Sequence, residues 1–544
     1  MVSRSSGVDQ YVQQIPLLAL VFLPLISAIF GLRYINLKSV IHFQQGTLGT
    51  SPWRAAATMT FLTLPVFFVW CLVIRGPSAI FFQVGASLAL ILTTLTASPI
   101  LHYLPSPSLS KYFQLRYLSD SLRLLVSIFQ CSLLTLTSLI LLYLASSFLF
   151  LLYILVPTFG IGIFLFYGLE NIRSIDNIIE FEKYDFGASF SSIFIGFIVN
   201  FYLLNSSFLY QVYSPMPTMH KLRLTLTFYG VFQFFAAFFA FIFATLFLDF
   251  LENHCKFPMS FGSFFQFSKV TLSNKFQVFT VCASCISILS FCLQWCLMGL
   301  ITLIWEDFLA KKLRNWNPIQ QLCSLQFALL ILTTALVVLA VVVNLMRWNL
   351  GLHLPSVIYV VFSLFSISAG LTICGYYLPF CSSRGAILAF SLTSILTILN
   401  LSIYFLNNST ETFSNFCNLQ HGLVMVDDPL IISSSTTQKS TISMDRIVYF
   451  VSHLPPQTQP IITILMFISL CAFISFLTGG QDQMGLDWNL IAFTWATSIR
   501  GTSTNTTFST TTKRPFFVVD SESFKYAQQQ NQNPTPSPDI NVFR

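Results

Sequence analysis

About a dozen times along this chain, a run of about 20 mostly apolar residues passes with almost no charge, the length a helix needs to cross the hydrocarbon core of a bilayer. The runs fall near residues 15–32, 56–74, 78–101, 124–145, 147–168, 188–208, 224–248, 277–304, 324–346, 355–379, 385–405 and 458–479. Lipid offers no hydrogen bonds, so a backbone of this kind must bond to itself, and phenylalanine and β-branched residues are then no obstacle to helix. The pattern predicts an all-α, polytopic transmembrane helix bundle of about 12 spans. Composition excludes the alternative of an ordinary soluble domain. The chain is 55% hydrophobic, with 59 phenylalanines and 9% charged residues, where a soluble domain carries about 25% charge.

Between the runs, four segments change character. Residues 102–123 read as a basic loop with Pro105 and Pro107. Residues 169–186 alternate charge with Ile and Phe at helical spacing, which predicts one interfacial amphipathic helix. Residues 406–457 form a polar loop with a Ser/Thr tract, and 480–544 a polar C-terminal tail without a core-forming pattern. Arg33, Lys38, Arg54, Lys111, Arg116 and Lys311–Lys312 stand singly or in a pair near helix ends, as orientation markers do. They do not cluster as a nucleic-acid footprint does, so no nucleic-acid partner is expected. The Asn-x-Ser/Thr triplets at Asn205, Asn408 and Asn505 are what a Ser/Thr-rich chain produces by chance.

Redox chemistry is not indicated. A haem-carrying bundle needs histidines inside its helices, and His42, His102, His220, His254, His353, His421 and His453 all fall in loops or at helix ends. Cys282, Cys285, Cys292 and Cys296 share one face of one span. They spread over about 20 Å at helical rise, too far for one tetrahedral ion, and read as helix-packing residues, as do Gly160 and Gly162. No catalytic residue, cofactor or metal site is expected. Antiporter-type pumps carry lysines and a glutamate in mid-membrane, and no span here has a lysine at its middle.

Two stretches remain as candidates for chemistry. His220, Arg223, Thr227, Gly230 and Gln233 recur at spacings of three and four, a polar and small-residue stripe on one side of a long helix. Ala283, Ser287, Ser290 and Gln294 share a face of the 277–304 span, which ends in Glu306 and Asp307 at the aqueous edge. Together these resemble subunit a of the rotary F-type ATP synthase. Pro217 to Arg223 matches the family's Pro-x5-Arg-Leu spacing, with Leu224 next, and LQWCLMGLITLIWED with Gln294, Glu306 and Asp307 matches its glutamine-centred helix. Where the family carries an asparagine four residues after the arginine this chain has Thr227, and the resemblance covers only about residues 189–310.

The resemblance implies a proton path through Arg223, Gln294, His220, Gln233 and Glu306 beside a c-ring, with the arginine holding the ring carboxylate ionised. It also implies a mitochondrial inner-membrane, multi-pass protein, for which the scarcity of Lys, Glu and Gly and the lack of a cleavable leader also speak. Expected partners are membrane lipid and other subunits of a large membrane complex. The chain then divides into 1–186, N-terminal transmembrane helices; 187–320, the proton-channel helices; 321–479, additional transmembrane helices; and 480–544, the tail. Two other readings stay open. One is a divergent or lineage-specific membrane subunit of a respiratory-chain complex, antiporter-like or architectural. The other is a multi-span solute transporter, which predicts broken helices or a buried charged site.

Overall fold

A computed structural model describes residues 51–73, 77–104, 108–146, 186–216, 218–253, 291–313, 315–345, 354–407, 458–481 and 490–492. Among them every regular element is helical, and ten helices are long and apolar enough to cross a membrane. The expected spans at 15–32 and 147–168 and nearly all of 169–186, 406–457 and 480–544 lie outside the described residues. The described residues belong to one unit, Met1–Ala496; Thr497–Arg544 forms a second that lies wholly outside them.

In chain order the first helix, α1, is Pro52–Val73. A single 3-10 turn at Pro77–Ile80 leads into α2, Phe81–Leu92, a π-helical turn at Thr93–Ala97 and α3, Ser98–Tyr103. Pro99 has no N–H to give to the turn before it, and the wider turn lies where a regular ladder would lose that bond. Then come α4, Ser110–Tyr117; α5, Asp120–Ser146; α6, Phe186–Leu204; α7, Ser207–Tyr213; and α8, Met219–Asn253. The span Phe291–Leu309, α9, ends in a second π-helical turn at Trp305–Leu309. Last are α10, Pro318–Leu345; α11, Leu354–Tyr377; α12, Ser383–Asn407; and α13, Gln459–Leu477.

Lipid tails are as apolar as leucine, so helices in a membrane associate through close packing and hydrogen bonds rather than through burial. The α2–α6 pair shows this. A Cβ on Gly85 would lie 1.8 Å from the Ile193 carbonyl oxygen, and one on Gly196 would lie 2.1 Å from that of Phe82. Ala86 and Ala89 of α2 and Ser189 and Ser192 of α6 are buried as well. The pair can meet at this distance only because both positions lack a side chain. Elsewhere α1 packs along α8, α6 along α11, and α13 against both α11 and α12. Trp70 is fully buried, its ring 5.6 Å from Phe82 and 5.8 Å from Phe362. The outward faces are apolar: Phe234, Phe235, Phe238 and Phe239 on α8, and Leu388, Leu392, Ile395 and Leu399 on α12, are all exposed. In water these faces would drive aggregation; in lipid they are solvated. The chain is therefore a multi-pass membrane protein.

Residues 102–123 are not a surface loop. They contain α4, whose Tyr112, Phe113 and Arg116 are buried. Arg116 does not mark orientation. Its Nε donates to Gly375 O at 3.0 Å, and its Nη2 to Leu378 O at 3.0 Å and Pro379 O at 3.2 Å. These are carbonyls at and beyond the end of α11, which have no partner within the helix. A guanidinium offers several donors in a rigid fork and closes that end. Gln481 completes the arrangement, accepting from Arg116 Nη1 and donating to Arg116 O. The beginning of the polar tail also returns to the bundle: Tyr112 donates to Leu490 O at 3.2 Å, and Ala492 N to Tyr376 O at 2.9 Å.

Candidate functional site

The polar groups inside the bundle converge where α5, α7 and α9 meet. They start from an interruption in the chain. After Leu204 the α6 helix stops, Asn205 and Ser206 leave the helical path, and α7 begins at Ser207. The stop follows from chemistry in the sequence, because Asn and Ser side chains offer the backbone local hydrogen bonds that compete with a helix. Asn205 Nδ2 donates to Phe201 O at 2.8 Å and Ser206 Oγ to Leu203 O at 2.8 Å. Every residue from Asn200 to Tyr213 is buried, including Asn205 at 1% exposure. The Asn205 triplet is therefore no glycan acceptor, as its chance origin predicts. An irregular backbone at membrane depth is tolerated only inside protein or beside a cavity.

Asn205 of the break and Ser207 and Gln211 of α7 reach other helices. Asn205 Oδ1 accepts from Tyr376 of α11 at 2.9 Å. Ser207 Oγ donates to Gln130 Oε1 of α5 at 3.4 Å. Gln211, one turn further along α7, donates from Nε2 to Met298 O of α9 at 3.3 Å. A Cβ on Gly299 of α9 would lie in ordinary contact with Phe208 of α7 and Leu134 of α5, at 3.7 and 3.4 Å, so the three helices are closely packed here. Gln130 lies about 15 Å along α5 from Asp120 at helical rise, and Met298 is in the middle of α9, so the break abuts the middle stretches of two spans. Two amide atoms there have no hydrogen-bond partner among the described residues: Gln130 Nε2, a donor, and Gln211 Oε1, an acceptor. Unpaired buried polar atoms are costly, so these two stand out among the buried amides of the junction.

One and two turns from Gln130 on α5, Ser127 and Arg123 meet Asp307. Arg123 Nη2 lies 2.6 Å and Nε 2.8 Å from Asp307 Oδ1, with side-chain exposures of 9% and 1%. Ser110 donates to Asp307 Oδ2 at 2.7 Å, Ser127 donates to the same oxygen, and Arg123 Nη1 donates to Gln114 Oε1 at 2.8 Å. The π-helical turn Trp305–Leu309, closed by Ala310 N to Trp305 O at 2.7 Å, widens α9 where Asp307 enters this network. Asp307 is thus buried in an ion pair at the end of its span rather than exposed to solvent. The sequence missed the pair because each partner stands near a helix end among other charges, and nothing local says that the two ends meet.

A groove of about 530 Å³ runs along α5 and α9, lined by Ile128, Ser132, Thr135, Leu139 and Phe308 among others. Ser132 and Thr135 spend their hydroxyls on the carbonyls of Ile128 and Cys131 in their own helix. The groove therefore offers a solute little beyond apolar surface, unlike the α5–α7–α9 junction.

The residues singled out from sequence scatter. Arg223 is exposed near the start of α8, with Nε 3.5 Å from Ser98 Oγ. His220 and Thr227 are exposed too. Gly230 meets Leu90, and Gln233 is buried and donates to Asn200 Oδ1 at 3.0 Å. The stripe thus runs from an exposed end to a buried one. Gln294 and Glu306 are half-buried on α9. Pro217, Ala283, Ser287, Ser290, Cys282 and Cys285 lie outside the described residues, while Cys292 and Cys296 are core residues.

No family model matches the sequence. No curated protein matches it either. Among solved structures, the chain is similar to a Na+-coupled sialic acid symporter in its substrate-bound, outward-open state, with a TM-score of 0.55 and 12% identity, over 87% of this chain and 99% of that one. At that identity the likeness is one of fold: this chain shares the helical architecture of that protein.

Proposed function

We propose that this chain is a membrane transporter of a small, neutral, hydrogen-bonding solute, bound where α5, α7 and α9 meet. The observation that carries the reading is the buried break between α6 and α7, with the unspent Gln130 donor and Gln211 acceptor beside it. Transporter sites of this kind are built from interrupted helices whose polar groups face inward. Both unspent groups are amides, and the nearby Arg123 and Asp307 charges satisfy each other, so the site favours a neutral polar ligand over an ion. The fold likeness supports the reading, since it extends over nearly the whole of a symporter. That neighbour's coupling to Na+ is carried here only as a condition to vary.

The test is uptake by the purified chain in proteoliposomes. Labelled neutral amino acids, monosaccharides and polyols are supplied with and without an inward Na+ gradient, with acidic sugars as the charged comparison. Uptake of one neutral class above that of protein-free vesicles is the expected result; no uptake across all classes counts against transport.

The rotary-subunit reading is a second proposal, supported by Arg223 lying exposed on the outside of the bundle, where a partner can reach it. It predicts that gentle extraction recovers the chain with a ring of small proteolipids, and recovery as a lone chain active in uptake would end it.

A further inference from the structure

Three cysteines far apart in sequence come together at the end of α11. Cys374 is in its last turn, Cys381 in the link to α12, and Cys471 on α13. Their three Sγ atoms lie within 4.8 Å of one another, all three residues are 0% exposed, and none forms a disulfide. The approach of α13 is specific. A Cβ on Gly385 would fall 2.1 Å from Ser475 Oγ and 3.0 Å from Ser475 N, so α12 meets α13 only through a glycine. Ser382 N donates to Ser475 Oγ at 3.1 Å, which ties the Cys381 link to the helix bearing Cys471.

Arg116 supplies an independent observation. It is 1% exposed, and its hydrogen bonds go to three carbonyls and the Gln481 amide, all neutral. Among the described residues no carboxylate pairs with it. A guanidinium held this way keeps its full charge in a low dielectric and favours an anion nearby. Its first acceptor, Gly375 O, belongs to the residue next to Cys374.

We propose that Cys374, Cys381 and Cys471 form a binding site for one thiophilic metal ion, Cu(I). Soft sulfur ligands select soft ions. Three thiolates at about 2.3 Å from a shared ion stand about 4 Å apart in a trigonal arrangement, within the observed spread. Among the described residues no fourth His, Cys, Asp or Glu joins the group, whereas a closed structural zinc site takes four protein ligands. On binding, the thiols release their protons to solvent. Cu(I) with three thiolates carries two negative charges, and Arg116 offsets one of them. The inference is independent of what the chain transports.

The test titrates Cu(I) into the purified full-length chain, anaerobically and with reductant, against a colorimetric Cu(I) chelator. The wild type is expected to retain one ion per chain, with X-ray absorption showing three sulfur neighbours. Cys381→Ser and Cys471→Ser should each weaken binding by at least about 10- to 100-fold, and Cys292→Ser should leave it unchanged. Apo-state melting of each variant separates loss of the site from loss of the fold. The proposal is overturned if the wild type retains no more Cu(I) than the Cys374→Ser/Cys381→Ser/Cys471→Ser variant, if fewer than three sulfurs surround the ion, or if a disulfide within the cluster forms in place of copper binding.

Discussion

Arg123 and Arg223 each stand within the first turns of a long apolar helix, α5 and α8, close to a second basic or acidic group. Arg123 is drawn inside by Asp307 and has a side chain 9% exposed; Arg223 stays exposed and reaches only the Ser98 hydroxyl, at 3.5 Å. Local sequence does not separate them. What separates them is whether another element delivers a countercharge, since a charge in hydrocarbon survives only when paired or solvated. Arg116 is an intermediate case, buried against neutral carbonyls at a helix end.

That contrast can be broken in order of expected effect. Arg123→Ala or Asp307→Ala strands a buried charge and should cost about 3–5 kcal/mol, read as a large fall in melting temperature in detergent. Arg123→Met/Asp307→Leu should recover much of the loss, and failure to recover would show that the network around the pair, not the pairing, is what matters. Arg116→Met removes the guanidinium bonds to the Gly375, Leu378 and Pro379 carbonyls and should cost about 3 kcal/mol, by the same measurement. Asn205→Ala removes the bond to Tyr376 and should cost about 1 kcal/mol, while lowering uptake by more than its melting shift explains. Arg223→Ala and His220→Ala, both at the exposed end of α8, should stay within about 0.5 kcal/mol of wild type. A larger effect would place Arg223 in a contact that this fold does not contain.

The spans were legible because their signal is local: about 20 apolar residues in a row announce themselves, and among the described residues ten helices of spanning length fall on expected runs, the run at 277–304 being described only from residue 291. The fit is good even where the chain breaks. The run expected over 188–208 continues past Leu204 through an interruption that Asn205 and Ser206 could signal, but in sequence the same residues read as a chance triplet. The site was hidden for a different reason. Arg123 and Asp307 are 184 residues apart, and Cys381 stands far from Cys471, so neither cluster exists until the helices pack. Arg223 drew attention because it sits in a short recognisable pattern, whereas Arg116 lay among prolines and polar residues that look like a loop. Gln233 shows the middle case: its helical spacing was readable, but its partner Asn200 on α6 was not.

The most direct measurement compares uptake of the neutral solutes that the transport proposal predicts by wild type and by Gln130→Leu/Gln211→Leu in matched proteoliposomes, with melting temperatures recorded for both. The substitutions remove two buried amide atoms that have no partner among the described residues, together with the bonds from Ser207 Oγ and to Met298 O, so stability should fall by about 1–3 kcal/mol, and the loss of uptake should exceed what that shift explains. Uptake should drop to the level of protein-free vesicles. Undiminished uptake by the double variant would contradict a binding site at the α5–α7–α9 junction, and a wild type that takes up no solute would contradict transport itself.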